Sequence, residues 1–181
     1  RAPQLAPSDA AQQQPPLPVR ALGETGRGGT FGRNGDNRPT PPLLSARTDL
    51  ATARNAWSCG TSTAASVPCM FSHLGRDGFE SRKANYESLI DVLHHAGLAV
   101  LWLDNQAGCK GVCERIGEVR TTALQDPVLC PGGECLDPIM LKDLDQRLAE
   151  LPAEQRSRGT VVVMHQMGSH GPAYSKRSDA S

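Results

Sequence analysis

Twice along this 181-residue chain an amphipathic stretch is followed by a turn, a short apolar run and a polar loop, and this order restricts the fold more than any other feature. Between Asn85 and Ala96, the residues Tyr86, Leu89, Ile90, Leu93 and Ala96 recur at the spacing of one helix face. Gly97 then stands where a left-handed residue closes a helix. Leu98 to Leu103 is an apolar run of strand length, ended by Asp104 and Asn105. The second round places Met140, Leu141, Leu144, Leu148 and Leu151 on one face of a helix over 138–151, with Asp137 as its N-cap and Pro138 in its first turn. Thr160 to Met164 is a β-branched run ending at His165. Strands without polar alternation are covered on both faces, so the expected architecture is a parallel α/β sheet between helical layers. Ligands of such sheets bind beyond the carboxyl ends of the strands. Asp104, Asn105 and His165 fall there, with His170 five residues further on.

The N-terminal third is different. Residues 1–18 hold a Gln/Pro-rich run and read as a disordered tail. Val19 to Leu22 has the length of a short strand and ends at Gly23-Glu24-Thr25. Residues 26–42 form a Gly/Pro loop, followed by a weak helix over 43–53 and a strand over 54–57. Eight of the fourteen prolines precede residue 43, so the remainder can still build a core, although seven aromatic residues make it a lean one. Nineteen basic and nineteen acidic side chains cancel, which leaves no electrostatic basis for binding a nucleic-acid backbone. No run of about 18 apolar residues is present to span a bilayer. No secretory signal pattern opens the chain, and its first residue is Arg1, as expected of a processed, trimmed or partial sequence.

Six cysteines fall in three close pairs, Cys59/Cys69, Cys109/Cys113 and Cys130/Cys135. Short local pairs of even number imply disulfides and an oxidising compartment. The alternative is thiolate zinc, whose knuckles use gaps of about two to four residues. Cys109/Cys113 and Cys130/Cys135 approach that spacing, whereas nine residues separate Cys59 from Cys69.

Four clusters carry side chains able to do chemistry. Glu24 follows a strand in a glycine-rich setting and reads either as a metal ligand or as a loop surface residue. The hydroxyl cluster Ser58-Cys59-Gly60-Thr61-Ser62-Thr63-Ala64 opens a helix, where a hydroxyl caps the helix or, with a metal lowering its pKa, acts as a nucleophile beside the anion-attracting helix start. Lys110 lies inside the Cys109/Cys113 loop, either as a fixed cation for an anion or as a solvated surface charge. His165 and His170 flank a loop after a buried strand; His94 and His95 read as helix-surface residues and His73 as a loop residue.

Taken together, these segments resemble the bacterial lipid A phosphoethanolamine transferases, which include the mobile colistin-resistance enzymes. The resemblance is carried by Gly23-Glu24-Thr25 and by the block from Ser58 to Ser72. It continues in Leu101-Trp102-Leu103-Asp104-Asn105, Gly108 to Cys113, Gly133-Glu134-Cys135 and His165 to Tyr174, in the family's order and spacing over about residues 22–177. It implies the N-terminal part of a catalytic domain over 19–177, an alkaline-phosphatase/sulfatase-like α/β/α sandwich incomplete at its C-terminus, with 178–181 as a non-family tail. It also implies the periplasmic face of the bacterial inner membrane, with membrane contact through a domain absent from this chain.

The activity implied is transfer of phosphoethanolamine from phosphatidylethanolamine to a lipid A phosphate through a threonine adduct, which confers polymyxin resistance. Thr63 matches the threonine, and Glu24 with Thr63 match positions of the family's zinc site. Asn105, Lys110, His165 and His170 match its substrate-binding region. The three cysteine pairs match three of its local disulfides.

This chain departs from the family in its Gln/Pro tail, its less apolar first strand and the glycine-rich run after Thr25. The family's Asp-His-Gly-Glu segment, which supplies two further zinc ligands, has no counterpart in residues 1–181. Glu24 and Thr63 are therefore expected to form half a zinc site, leaving the 181-residue chain inactive by itself. Two other readings are a non-catalytic disulfide-stapled phosphate-binding module and an inactive truncated reading frame.

Overall fold

The structure is a computed structural model and describes residues 58–168. Its centre is a parallel three-stranded sheet of β1 (Ala99–Asp104), β2 (Val119–Arg120) and β3 (Thr160–His165), in the order β2-β1-β3. β1 and β3 pair in register from Ala99 opposite Thr160 to Asp104 opposite His165. Every residue of β1 is buried. Because side chains alternate across a strand, Val100 and Trp102 enter one core while Leu101 and Leu103 enter the other. The parallel α/β sheet expected from the sequence is thus present, with apolar layers on both faces.

The first face is covered by α1 (Thr63–Met70) through Val67, by α3 (Leu89–His95) through Ile90 and Leu93, and by the loop that carries Cys109, Val112 and Cys113. A short α2 (Gly75–Glu80) links α1 to α3. The second face is covered by Ile139 and Met140 of a 3-10 turn (Asp137–Leu141) and by Leu144, Leu148 and Leu151 around α4 (Leu144–Glu150). The chain then passes through α5 (Ala153–Arg158) into β3.

Two helices begin later than their periodicity predicts. The helix expected from Asn85 starts at Leu89, because Ser88 and Asp91 form a reciprocal capping box there. Ser88 Oγ accepts from the Asp91 N–H at 3.3 Å, and Asp91 Oδ2 accepts from the Ser88 N–H at 2.7 Å. Tyr86 and Leu89 are consequently exposed, and Ile90 and Leu93 carry the apolar contacts of the inward face. At the other end the expected stop holds. Gly97 takes φ 84°, its N–H bonds His94 O at 2.9 Å, and the Leu98 N–H bonds Leu93 O at 3.2 Å. The helix expected over 138–151 is broken into the 3-10 turn and α4 by Asp143, which sits in the left-handed region at φ 55°. Asp137 does not cap it, because its carboxylate is engaged elsewhere, as described below. The short elements α2, α5 and β2 carry too few periodic residues to be read from sequence.

Ser88→Ala removes one half of the capping box and is expected to cost about 1 kcal/mol, read as a lowered urea midpoint at unchanged m-value.

Three carboxylates make the fold acid-sensitive. Burial pushes the Asp91 carboxyl up, but the Ser88 N–H and hydroxyl and the Arg115 guanidinium, 2.8 Å away, pull it down further, so it lies below its ordinary value. Burial likewise opposes hydrogen bonds from His165, Gly108 and Gln106 at Asp104, and the hydrogen bonds win. Asp126 is held down to about 2 by the Lys142 ammonium and the N–H groups of Leu129 and Val128. Groups with depressed folded values stabilise the fold above the ordinary carboxylate range, near pH 4, and that contribution is lost as the pH falls through the folded values. Denaturant midpoints should therefore fall steeply below about pH 4, and Asp91→Asn should flatten the slope. An Asp91→Asn slope equal to the parent's would contradict this assignment.

Candidate active-site face at the carboxyl ends of the strands

The hydroxyl cluster divides its labour. Ser62 is the N-cap of α1, with extended backbone, and its Oγ accepts from the Ala65 N–H at 3.3 Å. Its carbonyl accepts from the Ser66 N–H and the Ser66 hydroxyl, both at 3.0 Å. Thr63 is the first helical residue and half-buried, and its hydroxyl has no hydrogen-bond partner among the described residues. The loop before it is closed down on the helix: Ser58 Oγ donates to Gly60 O at 2.6 Å, and the Cys59–Cys69 disulfide ties the loop to the last turn of α1. A Cβ on Gly60 would lie 2.8 Å from the Ala65 Cβ, too close to be accommodated, so this approach requires glycine. Capping therefore falls to Ser62, and Thr63 stands beside it at the positive end of the helix, its hydroxyl not used by the cap.

The ends of β1 and β3 are joined by side chains. Asp104 and His165 occupy one register position, and Asp104 Oδ1 lies 2.6 Å from His165 Nδ1. The other carboxylate oxygen accepts from the N–H groups of Gly108, at 2.8 Å, and Gln106, at 3.2 Å. Asp104 is 1% exposed and the His165 side chain 11%. The imidazole meets the Trp102 ring edge-on at 5.9 Å, and Trp102 also packs against Phe71 at the end of α1 at 5.5 Å. Trp102 therefore links the helix of Thr63 to the strand of His165.

Asn105 is 1% exposed, and its polar capacity is filled internally. The amide donates to Cys135 O at 2.9 Å and to Asp137 Oδ1 at 2.8 Å, and its oxygen accepts from the Thr121 hydroxyl at 3.0 Å. Asp137 also accepts from the N–H groups of Met167 and Gly168, each at 2.8 Å, and so fixes the turn directly after His165. Its position before Pro138 suggests a helix cap and gives no sign of this role. Its partners lie 30 to 32 residues away, where no local spacing reveals them. Lys110, at φ 54°, donates its ammonium back to Ala107 O within its own loop. Glu24 and His170 lie outside the described residues.

All three cysteine pairs are disulfides, as their spacing implied. Among the described residues one trio, Cys109, Cys113 and Glu118, brings potential metal-ligating atoms within 4.8 Å of one another. The two sulfurs are bonded to each other, and Glu118 Oε2 accepts from the Cys109 N–H at 3.1 Å. A disulfide sulfur is not a thiolate, so this trio is incomplete as a metal centre while the bridge is intact. The Thr63 hydroxyl, with no hydrogen-bond partner among the described residues, is chemically an oxygen donor of the kind a zinc ligand position takes.

The sulfatase family profile matches residues 19–181. The chain belongs to the sulfatase family. Within that family it is similar to phosphoethanolamine transferase EptA of Escherichia coli K12, at 40% identity over 162 residues, which are 89% of this chain and 28% of that protein. Phosphatidylethanolamine transferase Mcr-1 of Escherichia coli is 38% identical over 92% of this chain and 31% of its own length. Among solved structures, the soluble domain of lipooligosaccharide phosphoethanolamine transferase A from Neisseria meningitidis superimposes with a TM-score of 0.70 at 39% identity, covering 88% of this chain and 47% of that one. The chain spans less than a third of the length of these curated relatives. The α/β sulfatase-like fold expected from the sequence is borne out. No helix among the described residues is long and apolar enough to cross a membrane.

Proposed function

We propose that this chain forms the threonine-bearing part of a phosphoethanolamine transferase that moves the headgroup of phosphatidylethanolamine onto a lipid A phosphate at the periplasmic face of the inner membrane. The observation that carries this reading is the Thr63 hydroxyl, without a hydrogen-bond partner among the described residues, at the start of a helix capped by its neighbour Ser62. In the first half-reaction the Thr63 oxygen bonds to phosphorus, the bond from phosphorus to the glycerol oxygen breaks, and the threonine proton leaves while diacylglycerol gains one. In the second half-reaction a lipid A phosphate oxygen bonds to phosphorus and the bond from phosphorus to the Thr63 oxygen breaks; the Thr63 oxygen regains a proton as the acceptor phosphate gives one up, and phosphoethanolamine leaves on lipid A.

Glu24 and Thr63 would hold zinc together with ligands from an Asp-His-Gly-Glu segment outside residues 1–181. When bound, zinc would lower the pKa of the hydroxyl and offset charge developing on phosphorus. The dipole of α1 and its first N–H groups favour the same charge without reorganising. Lys110 and His165 supply polar groups beside the reacting headgroup, and His170 follows from the turn that Asp137 fixes. Asn105 serves the same site from within, as the link between β1 and that turn.

Mass spectrometry of lipid A from cells expressing the complete reading frame that carries this chain tests the proposal. Addition of phosphoethanolamine is expected, and unmodified lipid A from cells holding the folded protein would refute it. The 181-residue chain alone is expected to leave lipid A unchanged. A stapled phosphate-binding module would differ in one respect: it would bind the headgroup without zinc and never label Thr63.

A further inference from the structure

We infer that Asp104 is a positioning residue that fixes His165 in the tautomer protonated at Nδ1, leaving Nε2 as the one ring nitrogen available to the reacting headgroup. The inference rests on the transferase reading for its consequence, but its geometry is independent of it. A carboxylate has no proton to give, so at 2.6 Å it can only accept the Nδ1 hydrogen. Nε2 has no hydrogen-bond partner among the described residues. The ring cannot turn away easily, because Trp102 lies against it and the side chain is 11% exposed.

The carboxylate itself is held against rotation. Its second oxygen accepts from the Gly108 and Gln106 N–H groups, which belong to the loop stapled by Cys109–Cys113. The carbonyl of His165 accepts from the Asn105 N–H at 3.0 Å, which fixes the backbone that carries the ring. Asp104 and His165 are 61 residues apart and meet only because β1 and β3 are parallel and in register. The buried Asp104 charge is carried by three hydrogen bonds, and the one to His165 is the bond that joins the side chains of β1 and β3 at this register position. The carboxylate thereby sets which ring nitrogen faces out.

Asp104→Asn separates this role from a structural one. The amide oxygen can still accept from Gly108 and Gln106, while the amide nitrogen now faces Nδ1 and donates to it, forcing the ring proton to Nε2. Long-range nitrogen–proton NMR of the complete, zinc-loaded protein should show His165 protonated at Nδ1 in the parent and at Nε2 in Asp104→Asn. Turnover should fall roughly a hundredfold with the thermal unfolding transition retained. In a His165→Gln background, where there is no imidazole left to orient, Asp104→Asn should cost nothing further.

An unchanged tautomer, an unchanged turnover, a lost unfolding transition or additive losses in the double variant would each overturn the inference. A parent protein that never modifies Thr63 would instead remove the transferase reading, and the tautomer measurement would then decide the Asp104 assignment alone.

Discussion

Replacing Thr63 with alanine in the complete protein is expected to lower phosphoethanolamine transfer by at least about a thousandfold, because removing a covalent nucleophile leaves only the catalysis of the surrounding site. The same change should barely disturb the fold. Thr63 is half-buried, its hydroxyl bonds no described residue, and the cap of α1 is supplied by Ser62. Alanine also has the higher helix propensity. Thr63→Ser keeps a hydroxyl at the same place and should restore part of the activity. A Thr63→Ala protein that transfers at the parent rate would mean the hydroxyl is a bystander at a helix start.

The largest effect on stability is expected at Trp102. It is 1% exposed and lies at the centre of the first core, against Phe71, His165 and the cluster that includes Val67, Ile90 and Val112. Trp102→Ala should cost about 3–5 kcal/mol, from lost burial and the cavity left behind. Its indole N–H is buried without a hydrogen-bond partner among the described residues. Trp102→Phe, which keeps most of the ring volume and deletes that donor, should therefore cost far less than Trp102→Ala. Urea unfolding of the three proteins measures both differences. Equal losses for alanine and phenylalanine would show that the indole nitrogen, not the ring volume, carries the stability.

How much of this was legible in advance depended on the range of the signal. β1 and β3 were visible because a strand of a covered parallel sheet leaves a local mark, a run such as Val100 to Leu103 or Val161 to Met164 with no polar alternation, although only β1 is fully buried and β3 is half-buried. The Gly97 stop was visible for the same reason, since a left-handed residue after a helix favours glycine. Helix starts were misplaced because apolar spacing continues through residues that a cap excludes. Tyr86 and Leu89 fit the periodic pattern but sit outside the face that Ser88 and Asp91 select.

The candidate site was legible as a place and less so as a set of contacts. Strand-end position located Asp104, Asn105 and His165, and resemblance attached roles to them. Their hydrogen bonds could not be anticipated, since Asp104 meets His165 across 61 residues and Asn105 meets Asp137 across 32. Those pairings follow from strand register and from the path of the second-face loop, neither of which a local window contains. Asp137 was consequently assigned to its own helix when it holds the turn after β3.

The central claim is that Thr63 carries phosphoethanolamine between donor and acceptor. The most direct measurement is tandem mass spectrometry of the complete, zinc-loaded protein after incubation with phosphatidylethanolamine and no acceptor. The account predicts a single phosphoethanolamine adduct on the peptide that contains Thr63, absent from Thr63→Ala and discharged when lipid A is added. An adduct on any other residue, or lipid A modified at full rate by Thr63→Ala, would contradict it.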